Sequence, residues 1–291
     1  MRYRPFGNSG MAVSTLSLLL REREAGRGRR VDWRALVFGA LEAGINKFEV
    51  SGATPGLLDA LAAAGEALDR RFLFVAWRLD GAHRSAEDVV GFLRGVLART
   101  NLGYFDLLML HEPAQTLSSD AIARLRELQD LQLTRMLGVS GDDEAIDGYI
   151  ATGAFQALST TYHIASGWKP RHRIQQAGDA NMAIIGRDCW PKALSDLKPA
   201  PPPRRSWFGP RVEPLQGMGG YNFLHQTPGW TAEEICLAFA LTEPAIATVQ
   251  IEADNVARIQ RLAAITERDL PAGAGAQIEM ASFSPRASGA A

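Results

Sequence analysis

The residues with chemical potential in this sequence fall where its apolar runs end. Glu49, Arg78, His111, Glu112, Ser140, Asp142, Tyr162, His163, Arg187, Asp188 and Glu252 each close or follow such a run. These are the side chains of acid–base and ion-pair chemistry. An imidazole titrates near neutrality, and guanidinium forks match carboxylates and phosphates. His111 could orient a substrate or act as acid or base, or it could simply be hydrogen-bonded inside the fold. Arg78 and Arg187 could pair with Glu49 and Asp188, or clamp an anionic ligand. Lys47 stands two residues before Glu49, and a strand would turn both side chains to one face. If that face is inward, Lys47 lies one layer below Glu49 and needs it as a partner. Lys47, Trp77, Glu112 and His163 form the candidate ligand-binding set. His163, Asp188, Glu112 and Glu252 are metal-ligand types, but no local spacing such as His-x-Glu-x-His joins them. No metal is expected.

The elements that would carry these residues repeat. Gly7-Asn8-Ser9-Gly10 supplies a hairpin turn, and Thr15 to Leu20 is a first apolar strand. Trp33, Leu36, Val37, Ala40 and Leu41 recur at helical spacing, and Gly44 ends that helix. Further strands are expected at 45–50, 72–77, 105–110, 136–140, 156–162, 182–187 and 247–251, alternating with helices. Near-continuous apolar strands in that alternation predict a (β/α)₈ TIM barrel of the α/β class. No Gly-x-Gly-x-x-Gly follows a strand, which disfavours an open dinucleotide-binding sheet. Residues 1–270 read as one domain. Residues 189–230 form a long Pro-rich and aromatic-rich loop after the seventh barrel strand, a candidate lid. Residues 271–291 read as a flexible tail.

The 291 residues are 46% hydrophobic and 22% charged with a net charge of −1. Nothing in that balance points to nucleic acid or an anionic membrane. The N-terminus lacks the apolar core of a signal peptide, and no apolar window is long enough to span a membrane. Cys189 and Cys236 are expected as reduced thiols in the cytoplasm. The chain is expected as a monomer or small homo-oligomer.

Five segments in order resemble the aldo/keto reductase family: Tyr3 to Gly10, Glu42 to Ser51, Asp106 to His111, Met136 to Ser140, and Ala238 to Leu241. The resemblance implies a barrel that binds NADP or NAD across its C-terminal mouth and reduces a carbonyl, with a tyrosine donating the proton. Carried over residue by residue, the catalytic positions are Glu49, Thr54, Arg78 and His111. Thr54 stands where the tyrosine is expected and Arg78 where the lysine is, while His111 is retained. An aliphatic hydroxyl is a far weaker acid than a phenol of pKa ~10. The implied cofactor positions are Ser140, Ser159, Arg187 and Arg258. Ser17-Leu18-Leu19 stands where the family has Gly-x-Gly. Three functions are compatible with these residues. The first is a divergent barrel binding a small anionic molecule or a partner, with weak or no reductase activity. The second is an NAD(P)H-dependent oxidoreductase using another acid, His111 or Glu49. The third is a cofactor-independent lyase or hydrolase using Glu49, His111 and Lys47.

Overall fold

The computed structural model describes residues 1–22, 31–79, 86–113, 118–191 and 221–283. Strands β1 (Tyr3–Pro5) and β2 (Ala12–Ser14) pair antiparallel as the expected hairpin. Eight parallel strands then close a barrel: β3 (Leu16–Arg21), β4 (Lys47–Ser51), β5 (Phe74–Leu79), β6 (Phe105–His111), β7 (Thr134–Ser140), β8 (Ala157–Thr161), β9 (Ala183–Arg187) and β10 (Ile246–Ile251). They run in chain order around the barrel, with β10 bonded to β3. Outside lie α1 (Trp33–Glu42), α2 (Pro55–Ala67), α3 (Ala86–Thr100), α4 (Ser119–Asp130), α5 (Glu144–Ala151), α6 (Trp168–Asp179), α7 (Ala232–Thr242), α8 (Val256–Ile265) and α9 (Ala274–Phe283).

Local chemistry starts and stops the helices. Asp32 caps α1 by accepting from the Ala35 amide at 2.9 Å, Pro55 occupies the first turn of α2, and Thr231 with Glu234 forms a capping box on α7. Gly44 ends α1 at φ 84°. A side chain there would collide with Met1 at 2.8 Å, so both conformation and space call for glycine.

Two cores follow from strand parity. Outward residues such as Phe48, Val50, Trp77 and Leu108 pack under the helices. Inward residues fill the barrel, with Phe6 from the hairpin entering its N-terminal end against Phe74, ring centroids 4.7 Å apart.

Two expectations need correction here. The strand expected at 72–77 begins at Phe74, because Asp69 accepts from the Arg71 amide and starts a single 3₁₀ turn over Arg70–Phe72. The tail expected at 271–291 is in part a helix. In α9, Ala274 and Ile278 are buried, and α9 packs on a 3₁₀ turn at Tyr221–His225. Its sparse apolar spacing among Ala, Gly and Ser hid it. Of the loop expected at 189–230, residues 192–220 lie outside the described residues, as do 284–291 of the tail. Among the described residues no helix is long and apolar enough to cross a membrane.

Candidate functional site

The C-terminal ends of β3–β10 form the mouth, where sites of this architecture lie. Period-two geometry turns Glu49, Arg78, His111, Ser140, Ser159, Arg187 and Gln250 inward, and most of them join one network. Arg78 Nε donates to Glu49 Oε1 at 2.6 Å, and Nη2 lies 2.5 Å from the same oxygen. Gln250 Nε2 donates to Glu49 Oε2 at 2.7 Å. Glu49 is fully buried. Burial opposes its charge, but the Arg78 guanidinium, the Lys47 ammonium and the two hydrogen bonds outweigh burial and hold its pKa below the ordinary value.

His111 continues the network. Arg78 Nη1 lies 3.4 Å from His111 Nε2, and His111 Nδ1 lies 3.4 Å from Ser140 Oγ. A guanidinium only donates, so Nε2 accepts and the neutral ring carries its proton on Nδ1, donating to Ser140. Protonating Nε2 would set two cations against each other. Burial first, and Arg78 next, accordingly push the His111 pKa down. In this arrangement His111 has no proton at Nε2 to give a substrate.

A second cluster gathers on Arg187. Its Nη2 donates to Asp142 Oδ2 at 2.6 Å and reaches Glu112 Oε1 at 3.5 Å, while Nη1 reaches Asp188 Oδ2 at 3.2 Å. Thr161 donates to Asp142 from both its amide (2.8 Å) and its hydroxyl (2.7 Å). Glu112 and Asp188 take φ of 40° and 53° at the ends of β6 and β9, a left-handed backbone rare for these residues. Such strain persists where surrounding structure enforces it, and here both carboxylates converge on Arg187.

A cavity of about 800 Å³ adjoins this cluster, with Asp142, Thr161, His163, Trp168, Lys169 and Arg173 in its wall. His163 Nδ1 accepts the Ala165 amide at 3.1 Å, which leaves the ring proton on Nε2. Burial lowers the His163 pKa, against the pull of Asp188. Trp168 is 70% exposed at the start of α6.

Several expected site residues sit elsewhere. Trp77 faces outward, buried against Phe92 and Phe105 at 5.6 and 5.3 Å, so it is no ligand contact. Adjacent strand residues cannot share a face, and Arg78 has the inward one. Lys47 is inward and fully buried, but Glu49 turns to Arg78 and Gln250, and Lys47 Nζ has no hydrogen-bond partner. Thr54 is exposed at the N-cap of α2, its amide donating to Glu22 at 2.6 Å. Ser140 and Ser159 are fully buried in the barrel wall. Arg258 is held by Glu233 and by the Glu252 carbonyl at 3.2 Å. Gln250 and Arg21, which pairs with Glu252 at 2.5 Å, were not anticipated. Gln250 was within reach of sequence reasoning, since it lies two residues before Glu252 on an inward-facing period.

The five tyrosines make other contacts. Tyr162 follows β8, but its hydroxyl donates to Glu243 at 3.3 Å and its ring stacks on Phe239. Burial first, and Glu243 next, push its pKa up to about 12. Tyr3 donates to the Gly44 carbonyl, Tyr104 lies between Arg70 and Arg135, Tyr149 packs on Phe155, and Tyr221 belongs to the turn against α7 and α9.

The fold is that of the aldo-keto reductases. An aldo-keto reductase of Bacillus halodurans in its holo form matches with a TM-score of 0.72 at 17% identity, over 99% of each chain. Its apo form gives 0.70 at 18%. A thermostable aldo-keto reductase in complex with the inhibitor epalrestat gives 0.71 at 17%, over 97% of this chain and 99% of that one. At such identity the likeness establishes the fold alone. No protein-family model and no curated protein sequence matches.

Among the described residues, four arginines at the mouth are turned to carboxylates rather than to an open dinucleotide seat. Arg21, Arg78, Arg187 and Arg258 each close on a carboxylate, while Arg187 Nε is buried without a partner. Leu19 is inward beside Glu49, where the backbone would need to approach the cofactor. Among the described residues no three His, Cys, Asp or Glu side chains converge as a metal site.

Proposed function

We propose that this chain is a small-molecule-binding barrel of aldo-keto reductase fold in which hydride transfer is weak or absent. One observation carries the reading. The network Ser140–His111–Arg78–Glu49–Gln250 is internally satisfied, with the His111 Nε2 lone pair turned to Arg78 and no phenol beside it. A reductase needs a positioned proton donor at this point, typically worth ~10²–10⁴ in rate. Glu49 supplies none, because it is held ionised. That state also makes it a poor base, which weighs against a lyase or hydrolase built on it.

The ligand that suits the mouth is a small polar molecule rich in hydrogen-bond donors rather than an anion. Arg187, the expected anion clamp, is already surrounded by Asp142, Asp188 and Glu112. The neighbouring cavity is within the range of ~300–1,000 Å³ usual for ligand sites. Its wall carries Asp142, Asp143, Glu144 and Asp147 against Lys169 and Arg173, a surplus of acceptors over cations.

Thermal-shift screening tests this directly, since a ligand that binds only the folded chain must raise its stability. A polyol or amine that raises the melting temperature of the native chain, and loses its effect in Asp142→Asn, is the expected result. Nicotinamide fluorescence during NADH and NADPH titration is the counter-test. Saturable binding with turnover of a carbonyl substrate would sink the proposal in favour of an oxidoreductase using a different acid.

A further inference from the structure

The barrel interior carries a charge imbalance. Lys47 and Glu49 are fully buried and Arg78 is 6% exposed, all on inward strand positions. With His111 neutral, their charges sum to one positive. Arg78 and Glu49 cancel by direct contact, which leaves Lys47. Its Nζ has no hydrogen-bond partner and lies 5.7 and 6.0 Å from the ring centroids of Phe74 and Phe6. Aromatic faces attract a cation but offer no lone pair for its protons. Burial lowers the amine pKa to about 8, with Glu49 opposing and Arg78 adding to the fall. An anion beside the amine would hold its proton on. A buried ammonium without an acceptor is costly, and each such group calls for an explanation.

The neighbourhood supplies further unmet donors. Ser17 Oγ, Thr248 Oγ1 and Ser159 Oγ are also buried without partners. Ser17 faces inward between Lys47 and Gln250, as the pairings Leu18 with Phe48 and Ser17 with Gln250 require. Thr248 lies one pleat below Gln250, in a row with Ile185 and Ser159. The inward face here mixes the small Ala76, Ala157, Ala183 and Ala247 with the larger Leu107, Met136 and Ile185. Phe6 and Phe74 form the floor, and the Glu49–Arg78–Gln250 contacts form the ceiling.

We propose that these unpartnered donors bind one small inorganic anion of halide size, held by Lys47 Nζ with the hydroxyls of Ser17 and Thr248 as further donors. Charge selects an anion over water, because water would accept a hydrogen bond from Nζ yet leave the positive charge uncancelled. The near-complete burial of Lys47, Ser17 and Thr248 selects a small ion over a polyatomic one. The site lies below the mouth and is independent of the ligand proposed there.

Crystals grown in sodium bromide test this by anomalous scattering, together with melting curves in bromide and gluconate at equal ionic strength. The expected result is an anomalous peak against Lys47 Nζ. Bromide should also raise the wild-type melting temperature by on the order of 5 °C at saturating concentration, with no shift in Lys47→Met. Should Lys47→Met fail to fold, the Ser17→Ala/Thr248→Val pair should raise the bromide midpoint roughly tenfold. Bromide only at surface arginines, equal shifts in wild type and Lys47→Met, or an unchanged midpoint in the double variant would each overturn the proposal.

Discussion

Arg78 and Glu49 meet side by side at the top of the barrel, Nε to Oε1 at 2.6 Å, with both side chains buried. Breaking such a pair from one side leaves an uncompensated charge, which costs roughly 3–5 kcal/mol. Arg78→Met should therefore destabilise by about that amount, and Arg78→Met/Glu49→Leu by clearly less. Urea denaturation of the three proteins reads the difference. Glu49 also sets an acid limit. Its folded pKa is below its unfolded value, so its contribution is full above the unfolded pKa and fades as pH falls through the folded one.

Lys47 works in the opposite range. Its folded pKa of about 8 lies below the ordinary lysine value of 10.5, so between those values the unfolded chain holds a proton that the native chain has released. Stability in gluconate buffer should rise across that window, by at most roughly 3 kcal/mol. A halide bound to the ammonium would hold the proton on and reduce the rise. Denaturation midpoints measured from pH 7.5 to 10.5 in gluconate and in bromide check both statements.

His111 and His163 both titrate below 6.5 by the same sign argument. As pH falls below that value the unfolded chain takes protons that the native chain refuses, and stability declines. Imidazole NMR should show both depressed midpoints. Arg78→Met should move the His111 midpoint upward and leave that of His163 in place, because only His111 touches Arg78.

Restoring the missing acid should not restore a reductase. Thr54→Tyr with Arg78→Lys supplies the phenol and the lysine, but Arg187 and Arg258 remain held by carboxylates and Leu19 remains in place. Carbonyl reduction with NADPH should stay at the background rate. A rise of ~10²-fold or more, the usual worth of a general acid, would show that the coenzyme seat is intact.

Trp77 should behave as core, not as a ligand contact. Trp77→Ala should cost roughly 3–5 kcal/mol in denaturation while leaving the affinity of any mouth ligand unchanged in the folded fraction.

The barrel was legible because its signal is periodic and repeated. Apolar runs, the glycine after α1 and the Thr231–Glu234 cap each mark an element locally. The site was less legible because it depends on partners distant in sequence. Nothing near Glu49 says that Gln250 will share its carboxylate, or that Arg187 will draw acids from three strands. The face of Trp77 depends on register: the apolar run begins at Phe72 but the strand at Phe74, and Trp77 pairs with the outward Val50. The pairing expected of Lys47 failed for an energetic reason. Arg78 offers Glu49 two donors on one oxygen, a geometry that an ammonium cannot match.

Phe6 gives the barrel a blind end. Whatever enters from the mouth must leave by the same door, and traffic past Glu49 and Arg78 requires those two to part or the hairpin to lift away. Exchange of an enclosed ion should thus be timed by the protein's own opening rather than by diffusion.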